Sequence, residues 1–151
     1  MFQKFYLFGL VIFMAIFFQS AFMLIETIES PNEIVVSFCK AYYQLDDSAR
    51  DYVSNQCHVQ NDIDLIDQYF YTQKQKANEC GYRDKFLVNY LTKIHTEILD
   101  KTHNSAVVKI KAKRLAIIPW LRTRKTYDVD HTFTLSKKKN QWLISDGITN
   151  M

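Results

Sequence analysis

The segment whose spacing comes closest to a known chemical motif is Ser54-Asn55-Gln56-Cys57-His58. Covalent attachment of c-type haem uses Cys-x-x-Cys-His, in which both thiols bond to the haem and the histidine binds the iron. Ser54 stands where the first cysteine is required, so we expect no cofactor. The four histidines of the chain share no ligand-like spacing, so we also expect no metal site: His58, His95, His103 and His131.

The cysteines indicate a second kind of chemistry, because two thiols can form a lasting disulfide in an oxidising compartment. Cys57 and Cys80 flank a predicted helix, whereas Cys39 lies in a helix among core-forming residues. We therefore expect Cys57 and Cys80 to pair, which would stabilise the fold by about 3 kcal/mol. The alternative is three free or buried thiols, with Cys39 a small packing residue rather than a nucleophile.

An apolar loop followed by cations is the third feature. Residues 117–121 read Ile-Ile-Pro-Trp-Leu, and basic residues follow at once. Trp beside cations suits a membrane interface or a protein partner, since the ring favours apolar surroundings while the cations attract phosphate or carboxylate. The alternative is a loop that folds back over the domain. We predict an interaction surface made of Ile118, Trp120, Leu121, Arg122, Arg124 and Lys125.

The beginning of the chain indicates where these residues would act. Residues 5–25 form a run of 21 positions without a charged side chain, and about 20 apolar residues suffice to cross a bilayer. Lys4 precedes the run, whereas Glu26 and Glu29 follow it. The positive-inside bias therefore leaves the rest of the chain outside the cytoplasm.

A cleaved signal peptide is the alternative to an anchor. Cleavage after Ala21 would need a small residue two positions earlier, where the chain has Gln19. We therefore predict an uncleaved single-pass anchor over residues 1–28 in the inner (cytoplasmic) membrane. Residues 29–151 would form one extracytoplasmic, periplasmic domain.

Charge is divided unevenly along this domain, with a net charge of −5 over residues 26–90 and +7 over residues 91–151. A basic surface attracts anionic lipid or an acidic partner, although a solvated sheet face is the alternative. No nucleic-acid recognition motif accompanies the lysines, so we expect no nucleic-acid partner.

Helices are predicted in the first half of the domain. Ser30-Pro31-Asn32-Glu33 forms a capping box with proline at the first helical position, which opens a helix that ends near Leu45. Asp46-Asp47-Ser48 can cap a short second helix, and Asn61-Asp62 can open a third that stops near Gly81. The spacing over residues 82–90 predicts another short helix.

From Thr92 onward, apolar and polar residues alternate, which predicts strands. The second predicted strand alternates Val108, Ile110 and Ala112 with three lysines, and the third runs from Tyr127 to Leu135. A last strand covers residues 141–145. Helices followed by an antiparallel meander predict an α+β fold, with helices packed on a curved sheet of about four strands.

This order resembles the nuclear transport factor 2-like (cystatin-like α+β cone) superfamily, in which a curved antiparallel sheet wraps around N-terminal helices. The resemblance lies in Phe38-Cys39-Lys40-Ala41-Tyr42-Tyr43, in the Asp46-Asp47 step, and in the terminal hairpin that ends with Trp142-Leu143-Ile144-Ser145-Asp146-Gly147. The layout is also similar to that of inner-membrane scaffold proteins of type IV secretion systems. They have a short cytoplasmic start, one span and a periplasmic domain.

The resemblance leaves function open, because such folds include enzymes, ligand carriers and assembly domains. In an enzyme it implies a proton donor or acceptor inside the cone, and the candidates are His131, Tyr127 and Asp46. A histidine on the apolar side of a strand is more often a core residue, and Asp46 more often a helix cap. We predict a non-catalytic membrane protein that docks with other protein subunits of an envelope complex. The alternative is a small-ligand-binding or isomerase-like domain.

Overall fold

The computed structural model describes residues 12–17, 29–55, 57, 59–60, 63–79, 88–118 and 123–148. Residues 12–17 are helical with exposed side chains, and the rest of the predicted anchor lies outside the described residues. None of the helices in the described part of the chain is both long and apolar enough to cross a membrane.

Helix α1 spans Pro31–Gln44 and begins with the predicted capping box. The backbone N–H of Ser30 donates to Glu33 Oε2 at 2.7 Å, and the backbone N–H of Glu33 donates to Ser30 Oγ at 3.3 Å. These bonds satisfy two of the donors that a helix start leaves free. Leu45 ends the helix in the left-handed conformation, with φ of 59°.

A short 3₁₀ helix follows at Asp47–Tyr52, as the Asp46-Asp47-Ser48 signal predicts. The Asp46 carboxylate accepts the backbone N–H of Ser48 at 3.0 Å, so Asp46 acts as its cap. Val53 then forms an isolated parallel bridge with Ile144.

The predicted start of the next helix is wrong. Strands β1, Val59–Gln60, and β2, Ile63–Asp64, pair as a short antiparallel hairpin, and helix α2 spans Leu65–Glu79. The Asp64 carboxylate accepts the backbone N–H groups of Ile66 at 2.9 Å and Asp67 at 3.1 Å. Asp64 therefore caps this helix, and Asn61, Asp62 and Gly81 lie outside the described residues.

Four antiparallel strands form the main sheet in the order β3–β4–β5–β6, which confirms the predicted α+β class. Their bounds are Val88–Lys101, Ser105–Ile118, Thr123–Lys138 and Gln141–Asp146. Residues 88–90 of the predicted fourth helix are strand, because they pair with residues 115–117 of β4. Residues 82–87 of that prediction lie outside the described residues.

The helices pack on one face of this sheet, which we call the inner face. The ring of Phe38 on α1 lies 5.7 Å from that of Phe133 on β5, edge to face at 80°. Tyr42 stacks on Tyr69 of α2 with 4.2 Å between the ring centroids, which joins the two helices. The core is therefore continuous from the sheet through α1 to α2.

The two ends of the sheet differ in their connections. At the turn end, residues 102–104 join β3 to β4 and residues 139–140 join β5 to β6. At the opposite end, the tip end, β4 and β5 are joined by residues 119–122, which lie outside the described residues. Gly147 follows β6 with φ of 108°, where a Cβ atom would lie 2.5 Å from the carbonyl oxygen of Thr132. This position therefore requires glycine.

Candidate functional site

Arg114 lies among tyrosines from three other elements, on the inner face near the tip end. The register places it opposite Tyr127, and its guanidinium carbon lies 4.7 Å from the centre of that ring. The same carbon lies 5.2 Å from the ring centre of Tyr43 on α1. Arg114 Nη1 donates to the hydroxyl of Tyr69 on α2 at 3.2 Å. One guanidinium thus connects both helices to β4 and β5.

Burial keeps the tyrosines of the two helices neutral. Burial raises the pKa of Tyr42, Tyr43 and Tyr69, and the positive charge of Arg114 opposes this rise without cancelling it. Arg114 is absent from the ion pairs seen in the described part of the chain. Its Nε–H is buried without a hydrogen-bond partner. Among the described residues, the ring faces of Tyr43 and Tyr127 and the hydroxyl of Tyr69 therefore contact this cation.

The predicted proton-transfer residues are only partly brought together. His131 and Tyr127 lie on the same face of β5, but they are four positions apart, a separation of roughly 13 Å along the strand, with Val129 buried between them. The Asp46 carboxylate is exposed and engaged as the cap of the 3₁₀ helix. His131 is half-buried, with its ring centre 6.4 Å from that of Phe133. Burial lowers its pKa, while Asp130 opposes that shift.

The cysteines do not support the predicted disulfide. Cys39 and Cys57 are both free thiols, and Cys80 lies outside the described residues. Burial, with a smaller contribution from Asp146, raises the pKa of the Cys57 thiol to about 11. Burial also raises the pKa of Cys39, so neither is a thiolate at neutral pH. No cluster within the described ranges offers the three His, Cys, Asp or Glu side chains that a metal ion would need.

Only part of the predicted interaction surface is described. Trp120, Leu121 and Arg122 lie outside the described residues, and Ile118 is the last residue of β4, with its side chain outside them. Arg124 and Lys125 lie on β5 with exposed side chains. These two cations therefore lie near the tip end, and the interaction surface stays a prediction.

The structure adds apolar residues that the loop prediction missed. Across the strands, Tyr90 lies opposite Leu115, and Ile117 lies opposite Arg124. Directly paired residues share a face of a sheet. Because side chains alternate between the two faces along a strand, these four residues lie on the face opposite to that of Phe133, which we call the outer face. We define the outer tip patch as Tyr90, Leu115, Ile117 and Arg124. The sequence contains one indication of this patch. Lysines occupy alternate positions of β4 up to Lys113, and Leu115 and Ile117 occupy the next two of these positions.

The remainder of the outer face is polar. Lys109 Nζ lies 3.1 Å from Asp130 Oδ1, and Lys113 Nζ lies 2.8 Å from Asp128 Oδ1. A shallow depression of about 310 Å³ between these pairs is lined by both charge signs, including Lys93 and Lys111. His131, Tyr127 and Asp46 do not line this depression. The mixture of charges indicates a surface exposed to water.

Comparisons with known proteins give little information about this chain. No protein-family model matches the chain, and no curated protein matches it. A solved structure described as a calcium/calmodulin dependent protein kinase II association domain from Xanthomonas campestris is similar, with a TM-score of 0.42 and 13% identity. The alignment covers 74% of this chain and 75% of that chain. A similarity at this level carries no argument about function, so the superfamily resemblance stays a prediction.

A double-mutant cycle tests the contact between Arg114 and Tyr127. We expect Arg114→Ala and Tyr127→Ala to be coupled by about 0.5–1 kcal/mol in the free energy of unfolding, because Tyr127 is partly exposed and its cation–π contact is only partly desolvated. Urea unfolding of the wild type, both single variants and the double variant measures this coupling. Tyr127→Phe retains the ring, so the cycle of Arg114→Ala with Tyr127→Phe should give a coupling near zero and serves as the control. A coupling near zero in the Tyr127→Ala cycle as well would contradict the cation–π contact.

The pKa of His131 predicts how stability depends on pH. Burial lowers the pKa of His131 in the folded protein. As pH falls below about 6.5, the ordinary histidine value, the unfolded chain therefore binds more protons than the folded protein does. The free energy of unfolding should therefore fall between pH 7 and pH 5, and it should fall less in His131→Gln. Chemical unfolding at a series of pH values measures these slopes. The exposed His95 on the outer face provides the control variant His95→Gln, and equal slopes for both variants would refute the assignment.

Proposed function

We propose that this protein is a non-catalytic docking subunit, which binds another protein through the outer tip patch. The observation that carries the proposal is the change in character of the outer face along β4. Lys109, Lys111 and Lys113 occupy alternate outer positions, and Leu115 and Ile117 occupy the next two.

An outer face that met only water along its whole length would continue the polar alternation. Leu115 and Ile117, which are partly buried, instead lie on that face with Tyr90, which is 48% exposed. Clusters of exposed apolar side chains are typical of binding surfaces. Tyrosine suits such a surface, because its ring is apolar while its hydroxyl tolerates water.

The surrounding charges indicate the chemistry of the partner. Arg124 belongs to the patch, and the exposed Lys125 follows it at the same end of β5, opposite Ala116 on the inner face. Neither cation takes part in the ion pairs seen among the described residues. A partner with an apolar centre and an acidic rim would complement both features. Trp120 and Arg122 belong to the same predicted surface.

The proposal includes attachment to the inner membrane through residues 5–25, with the folded domain on the periplasmic side. Its support is the sequence: 21 residues without a charge, preceded by Lys4 and followed by acidic residues. In such an arrangement, the domain would be one component of an envelope complex.

Site-specific photocrosslinking tests docking at the patch. A photoreactive residue in place of Tyr90, in the full chain expressed in its native cells, should give one discrete adduct with a second protein. Tyr71 provides a matched control, since it is also an exposed tyrosine, 70% exposed, but lies on α2. The same probe at position 71 should give no such adduct.

A charge reversal sharpens this test. Arg124→Glu should reduce the adduct yield from position 90 several-fold, because it would repel an acidic rim on the partner. Tyr90 and Arg124 are both exposed, so neither change removes a core contact. Equal adducts from positions 90 and 71, or a yield that Arg124→Glu does not change, would refute docking at the patch.

The membrane attachment has its own test. Peptides covering Met1 to Lys4 should be recovered from the mature protein, and the protein should remain with the membrane after extraction at alkaline pH. The physical reason is that an uncharged run of this length is more stable in hydrocarbon than in water. A mature protein that begins near Phe22 would show that the segment is a removed signal.

A further inference from the structure

Four lysines lie at the turn end of the sheet, and none of them takes part in an ion pair seen in the described part of the chain. The backbone N–H of Lys137 donates to the carbonyl of Asn104 at 2.8 Å, which holds the two turns side by side. One acidic residue, Asp100, lies next to this group in β3. We define the basic end as Lys101, Lys137, Lys138 and Lys139.

The backbone at Lys139 adds a second observation. Lys139 and Asn140 have φ of 48° and 70°, so both central residues of the hairpin turn are left-handed. Such two-residue turns favour asparagine and glycine, because other side chains are disfavoured in this conformation. Asn140 fits that preference and Lys139 does not. Lys139 therefore places a cation at a position where this backbone conformation favours other residue types.

The direction of α1 shows where the preceding chain enters the domain. Phe38 contacts Phe133, which lies closer to the turn end of β5. Tyr43 contacts Arg114, whose partner across the strands is Tyr127, closer to the tip end. Helix α1 therefore runs from the turn end towards the tip end. Residue 31, where the helix begins, lies about 10 Å before Phe38 along the helix axis.

The segment that precedes α1 thus joins the domain on the side of the basic end. Residues 5–25 are the proposed membrane anchor, so the side on which they join is the side that faces the bilayer. On that side the four lysines face Asp100, Glu29 and Glu33, and the excess of positive charge complements the phosphates of lipid headgroups. Lys137 Nζ also lies 5.7 Å from the ring centre of Trp142.

We infer that the basic end rests on an anionic membrane surface, and that its lysines contact lipid headgroups beside the anchor. The inference depends on the proposed membrane attachment. It orients the domain with the outer tip patch pointing away from the membrane. The fourteen-residue strands place the two ends roughly 45 Å apart.

Amine footprinting of the full chain in lipid nanodiscs tests this orientation. Nanodiscs of phosphatidylcholine alone are compared with discs that also contain about 30% phosphatidylglycerol, and acetylation rates of individual lysines are read by mass spectrometry. We expect Lys138 and Lys139 to react at least about threefold more slowly in the anionic discs. High salt should remove the difference, because it screens exposed charges. Lys125, near the tip end, should react at the same rate in both kinds of disc.

A charge-reversal variant separates membrane contact from local structure. In the double variant Lys138→Glu and Lys139→Glu, the protection of Lys101 should be lost, whereas Lys125→Glu should leave it unchanged. Equal rates for Lys138 and Lys139 in both kinds of disc would overturn the inference while the anchor stands. A chain that does not enter the discs at all would overturn both the anchor and this orientation.

Discussion

The contact on which the rest of the structure depends is that of Phe38 with Phe133. Both side chains are fully buried, and their edge-to-face packing fixes α1 on the inner face of the sheet. Loss of such a buried ring costs about 3–5 kcal/mol, a large part of the 5–15 kcal/mol that stabilises a typical domain. Together with the contact of Tyr43 with Arg114, it fixes the direction of α1. Its start therefore lies towards the turn end, and its last tyrosines lie beside Arg114.

The features that could be predicted from sequence are those that depend on neighbouring residues. The capping box needs only Ser30 and Glu33, and the alternation of β4 and β5 needs only a two-residue period. The wrong predictions depend on distant pairing. Asp64 caps α2 after a hairpin with β1, and residues 88–90 become strand because β4 extends far enough to pair with them. The position of Arg114 could not be predicted, since its partners come from α1, α2 and β5.

The two halves of the outer face have different physical roles. The pairs Lys109–Asp130 and Lys113–Asp128 are partly exposed, so each contributes at most about 1 kcal/mol to stability. Their charges keep that half of the face hydrated. The half of the outer face at the tip end is less favourably hydrated, because the side chains of Leu115, Ile117 and Tyr90 are largely apolar. Burial against another protein would release the water that these side chains order.

The strand pair β4–β5 connects the two ends of the domain, and its geometry bears on both proposals. All fourteen residue pairs from Ser105↔Ser136 to Ile118↔Thr123 follow one register without a bulge. The β3–β4 pair, in contrast, shifts register twice, between Thr92 and His95 and between Ile98 and Asp100. Bulges bend and twist a strand locally, so an uninterrupted ladder resists bending better than an interrupted one. If the basic end rests on lipid and the outer tip patch binds a partner, β4–β5 would therefore hold that partner at a fixed height above the membrane.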